Sequence, residues 1–101
     1  MALRVKAGVR PHNLIIAAAA ANFGESIGKD MIITSGIDGQ HMEGSRHYTG
    51  EALDFRRSHL SPEECDLFVG DLRRRLDRDY DVVLESDHVH CEYDPKPKWR
   101  P

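Results

Sequence analysis

Two histidine- and carboxylate-rich stretches about 40 residues apart constrain this chain more than any other feature. The first is SRHYTGEALD, Ser45 to Asp54, which sets His47 seven positions before Asp54 with Gly50 and Ala52 between them. The second is ESDHVHCEYD, Glu85 to Asp94, with His88 and His90 among several acids. A fold that brings the two stretches together would gather imidazoles and carboxylates around one point. A His, an Asp and a second His make a three-ligand set for catalytic zinc, with one position left open for water.

A chain of 101 residues is one domain, with a core just large enough to fold alone. Residues 1–10 read as an extended arm. Pro11 suits the first turn of a helix, where its missing N–H costs nothing, and the Ala-rich run to Phe23 favours helix strongly. That helix is expected to end near Gly24 or Gly28 and, being apolar nearly all round, to be packed. Leu14 to Ala21 follows Arg4, Lys6 and Arg10, the order found in a signal peptide. Its removal would take a helix that so small a domain can hardly lose, so it is read as part of the fold. No apolar run approaches the length of a transmembrane helix.

Met31 to Thr34 reads as a short strand, and the Gly-rich stretch from Ser35 to Gly50 as a functional loop. Glu51 to Arg56 alternates, with Leu53 and Phe55 on one face and Ala52 and Asp54 on the other. If the first pair fills the core, Asp54 faces an open site. Ser61-Pro62-Glu63-Glu64 is a helix start with cap, first-turn proline and capping box. Leu67, Phe68, Leu72, Arg75 and Leu76 follow at helical spacing, and the helix should end around Asp77 to Asp79. Tyr80 to Glu85 and His88 to Tyr93 read as two strands of a hairpin turning at Ser86-Asp87. Asp94 to Pro101 is a Pro-rich tail. The expected architecture is α+β, a small antiparallel sheet with two helices, in the order α-β-β-α-β-β.

Net charge is −3, which offers no signal for nucleic acid. Arg73, Arg74 and Arg75 read as a solvated helix face among Asp71, Asp77 and Asp79. Cys65 and Cys91 are too few for a disulfide framework and read as buried thiols. His12 and His59 read as surface or capping residues.

On a strand, His88 and His90 share one face while Val89 and Cys91 point the other way. Alone, such a pair is more often structural than functional; with His47 and Asp54 it becomes a candidate metal site. A metal peptidase also needs a carboxylate that is not a ligand, to carry a proton from water to the leaving amine. Asp87 lies three residues before His90 and Glu85 three before His88, so spacing alone leaves two registers open.

SRHYTGEALD resembles the Ser-x-His-x-x-Gly-x-Ala-x-Asp signature of the zinc D-alanyl-D-alanine peptidases. That superfamily includes VanX- and VanY-like enzymes, phage L-alanyl-D-glutamate endolysins and the hedgehog signalling domain. Ser45, His47, Gly50, Ala52 and Asp54 fill the signature, and DHVH, Asp87 to His90, supplies the acid three residues before the last ligand. The resemblance spans roughly residues 31–94. It implies His47, Asp54 and His90 as Zn2+ ligands, Asp87 as general base, and His88 lining the site beside the tetrahedral intermediate. Glu85, in a context resembling the hedgehog version, is the second choice of base. His41 matches a histidine bordering the hedgehog site. For the loop group that polarises the scissile carbonyl, Gln40, His41 and Arg46 are the candidates. The activity implied is hydrolysis of peptidoglycan stem peptides beside a D-amino acid, of D-Ala-D-Ala carboxypeptidase or L-Ala-D-Glu endopeptidase type. A monomer of phage or bacterial origin is expected, a lysis factor or virion component, with no nucleic-acid or membrane partner. The alternative is a zinc-binding recognition or virion structural module without turnover.

Overall fold

The computed structural model describes residues 11–35 and 51–95. Six elements follow in chain order: α1 (Pro11–Ile27), β1 (Ile33–Ser35), β2 (Ala52–Arg56), α2 (Pro62–Arg75), β3 (Tyr80–Leu84) and β4 (His88–Tyr93). The strands form one antiparallel sheet in the order β1-β2-β4-β3. Among the described residues the fold is therefore α+β, two helices and four strands.

Each element begins and ends for a local reason. Pro11 opens α1 as expected. Gly28 closes it with φ of 69°, and Lys29 N–H donates to the Gly24 carbonyl at 3.0 Å, the six-to-one bond of a Schellman ending. Gly24 is buried; a Cβ there would stand 2.6 Å from the Lys29 carbonyl oxygen, so the turn closes over a missing side chain. Ser61 caps α2: its Oγ accepts from Glu64 N–H at 3.1 Å, and Glu64 Oε1 accepts from Ser61 N–H at 2.9 Å. Glu64 also takes an ion pair from Lys29 at 2.6 Å, joining the end of α1 to the start of α2. The Lys29 bond, with that from Ser61, holds the Glu64 carboxyl below its usual range.

The core lies between the helices and one face of the sheet. Ile16 and Phe23 from α1, Phe68 and Leu72 from α2, and Leu53, Phe55, Val82, Val89 and Cys91 from the strands fill it. The Phe68 ring stands 5.1 Å from Phe23 and meets Phe55 edge-on at 5.4 Å, linking α2 to α1 and β2. Both cysteines are free and buried, and burial pushes the Cys91 thiol up to about 12, so it behaves as a small core hydrophobe.

In detail the structure departs from the sequence pattern at several residues. The apolar face of α1 is one stripe, Ile16, Ala19, Ala20 and Phe23, while Ile15 is about half exposed at 48%; the small Ala side chains do not make the helix bury itself all round. Leu67 is exposed and Val69 buried, so the buried stripe of α2 runs Cys65, Phe68, Val69, Leu72 and then Leu76. Arg75 lies outside it: Arg74 and Arg75 are exposed and both pair with the buried Asp71, and Arg73 donates to the Val82 carbonyl at 2.6 Å. His12 is not a free surface residue. Its ring stacks on Tyr93 at 3.5 Å and its Nδ1 shares a hydrogen bond with the Tyr80 hydroxyl at 2.9 Å. His59 is likewise half-buried, with Nε2 at 2.7 Å from the Asp30 carbonyl oxygen. β1 begins two residues later than expected and pairs with β2 through an irregular register, Ile33 with Phe55 and Ser35 with Asp54. Among the described residues no helix is long and apolar enough to cross a membrane.

Candidate metal centre

Alternation decides which side chains leave the core. In β2, Leu53 and Phe55 point inward and are buried, which turns Asp54 to the opposite face. In β4, Val89 and Cys91 are fully buried, so His88, His90 and Glu92 stand on that same opposite face. The β2–β4 register sets Asp54 directly across from His90. Residues directly opposed in an antiparallel pair share a face and lie within side-chain reach. Two apolar patterns and one register therefore place the carboxylate against the imidazole.

The geometry follows from that placement. His90 Nδ1 lies 2.8 Å from Asp54 Oδ1, and His88 Nε2 lies 3.6 Å from the same oxygen. The other nitrogen of each ring faces a different carboxylate: His88 Nδ1 is 2.6 Å from Asp87 Oδ1, and His90 Nε2 is 2.6 Å from Glu92 Oε1. The two rings stand 6.5 Å apart at 80°. Asp54 and His90 are mostly shielded, with 16% and 18% of their side chains exposed, whereas Asp87 at the hairpin tip is 84% exposed. The tip is closed by Glu85 N–H donating to the His88 carbonyl at 2.8 Å, and Glu85 itself is exposed.

Carboxylates face both imidazoles. For His90, burial is the largest influence and disfavours the imidazolium; the hydrogen bonds and charges of Glu92 and Asp54 together outweigh it, and its pKa is raised. The hydrogen bond from His88 holds the Asp87 carboxyl below its usual range, so Asp87 is ionised at neutral pH.

Asp54, His88 and His90 each offer a donor atom within 4.8 Å of the others, close enough to hold a metal ion. Two donors about 2.1 Å from one tetrahedral metal stand roughly 3.4 Å apart, which the 2.8 and 3.6 Å separations bracket. Small side-chain rotations would open the Asp54–His90 contact to that spacing. Asp81, Glu92 and Asp94 form a second such grouping, continuous with the first through Glu92.

Of the site residues expected from sequence, the structure brings together Asp54, His88 and His90, with Asp87 bonded to His88. His47, His41, Arg46, Ser45, Gly50 and Gln40 lie outside the described residues. Sequence reasoning missed Glu92. Its signal was present, because His88, His90 and Glu92 occupy alternate positions and must share a face. Comparison with known proteins finds no matching family model, no matching curated protein and no matching solved structure.

Proposed function

We propose that this chain is a zinc metallopeptidase that cleaves peptidoglycan stem peptides beside a D-amino acid. The observation that carries the reading is the meeting of Asp54 with His90 across β2 and β4, on the sheet face away from the core. Those two residues occur in the two motifs that resemble the D-alanyl-D-alanine peptidase pattern. The imidazole and carboxylate donors suit zinc. In this reading His47, Asp54 and His90 hold the metal, and His41 or Arg46 contacts substrate.

Zinc held by these residues would supply Lewis acidity, acidifying a water and polarising the carbonyl under attack. Asp87, ionised and exposed at the hairpin tip, accepts the proton and delivers it to the leaving amine. His88, held through Nδ1 by Asp87, turns Nε2 towards the site, where it lines the wall beside the tetrahedral intermediate; with Nδ1–H committed to Asp87, only its imidazolium form would donate from Nε2 to the developing oxyanion. Glu85, also exposed and two residues upstream of Asp87, is the second candidate for the proton carrier.

A specific observation favours a second assignment of roles within the same site. His88 Nε2 lies 3.6 Å from Asp54 Oδ1 while Asp87 holds its Nδ1, an arrangement that also suits a ligand with an orienting carboxylate. His88 would then be a metal ligand and Asp87 its support, leaving Glu85 as base.

The test is incubation of the zinc-loaded chain with defined muropeptides, with and without chelator. Chelator-sensitive release of D-Ala, or cleavage between L-Ala and D-Glu, is the expected result. A chain that holds a full complement of zinc yet leaves every stem peptide intact is instead a zinc-binding module without turnover, and the peptidase reading fails.

A further inference from the structure

We infer that Glu92 is a positioning residue for the metal centre, holding His90 so that Nδ1, and not Nε2, is presented to the metal. The inference rests on the metal site just proposed. An imidazole has two nitrogens, and the one that coordinates is selected by the hydrogen bond the other makes. Glu92 Oε1 lies 2.6 Å from His90 Nε2. Nδ1 lies 2.8 Å from Asp54 Oδ1, on the side that His88 Nε2 also approaches. The ring is thus gripped on its Nε2 edge, and its Nδ1 edge faces the converging donors.

The backbone makes this grip stiff. Glu92 is two residues beyond His90 on the same strand and therefore on the same face. Cys91 between them is fully buried and anchors the strand in the core. On either side, Glu92 is paired in register with Ala52 of β2 and Asp81 of β3. Donor oxygens of Asp81 and Asp94 come within 4.8 Å of one from Glu92. Crowding by like charge strengthens the demand of Glu92 for a hydrogen-bond donor, and the Nε2–H of His90 supplies one. Carboxylates that hold ligand imidazoles in this way raise metal affinity 10–100-fold.

Zinc dissociation constants of the full chain, measured by competition with a chromophoric chelator, test the role. Glu92→Ala is expected to weaken zinc binding about 10–100-fold. Glu92→Gln, whose amide oxygen still accepts from Nε2–H, should remain within a few-fold of wild type. Long-range nitrogen–proton NMR of the zinc-loaded wild type should show His90 metallated at Nδ1 and protonated at Nε2, with the Nε2 proton losing its protection in Glu92→Ala. Metallation at Nε2 would overturn the inference. So would equal affinity of Glu92→Ala and wild type, or equal weakening in the Gln and Ala variants. A wild-type chain that binds no zinc would defeat the metal site itself, a result distinguishable from all three.

Discussion

Replacing Phe68 by Ala tests whether the scaffold beneath the site is held as described. Phe68 is completely buried, and its ring is the shared neighbour of Phe23 in α1 and Phe55 in β2. Phe55 adjoins Asp54, so this contact fixes the strand that presents the carboxylate. Truncation of a buried Phe to Ala costs about 3–5 kcal/mol, and each lost aromatic pair contributes about 0.5–1.5 kcal/mol beyond area burial. Domains of this kind have about 5–15 kcal/mol in total. A loss of about 3 kcal/mol lowers Tm by roughly 12–24 °C for about 100 residues, and the upper end of the range leaves a weak domain largely unfolded. Phe68→Leu, which keeps most of the apolar volume, should cost about 1–2 kcal/mol. Urea unfolding followed by circular dichroism, with equal m-values checked for all three proteins, gives the numbers. A loss below about 1 kcal/mol in Phe68→Ala would show that the two helices and β2 do not share a core at this ring.

Further outcomes concern the site and the caps. Asp87→Asn is expected to retain zinc and lose most turnover; zinc loss in that variant, measured by metal analysis, would move His88 into the ligand set. In the metal-free chain the raised pKa of His90 means that its charged, doubly paired form adds stability in full below the ordinary histidine value of about 6.5. That contribution disappears as pH rises through the higher folded value. The stability gap between wild type and His90→Gln should therefore shrink from pH 6 to pH 8.5 in urea titrations, and a pH-independent gap would contradict the pairing. Zinc affinity should run the other way and rise with pH, because ligation displaces protons. Ser61→Ala removes the acceptor for Glu64 N–H and should cost about 0.5–2 kcal/mol in the same unfolding assay.

The common face of Asp54, His88 and His90 is readable in the chain because strand alternation is so strict a rule. Leu53 and Phe55 fix the phase of β2, and Val89 and Cys91 fix that of β4; both phases carry the polar residues outward. The cap at Ser61 and the strand His88–Tyr93 were readable for the same local reasons. The residue-level register, Asp54 against His90, was not, because pairing depends on how two distant strands slide past each other. The start of the short β1 is not legible, since a three-residue strand with an irregular register carries almost no pattern. Leu67 falls on the expected stripe yet is exposed, because helical spacing defines a stripe but leaves its centre to the packing of α2 on the sheet. The stacking of His12 on Tyr93 joins residues 81 positions apart and has no local signature.

Zinc stoichiometry, measured by equilibrium titration of the metal-stripped chain, tests the metal centre most directly. One zinc per chain is expected for wild type, with tight binding lost in both Asp54→Ala and His90→Ala while their helical content persists. A folded wild-type chain that takes up far less than one zinc, or two variants that bind as tightly as wild type, would contradict the claim that the face of β2 and β4 is a metal centre.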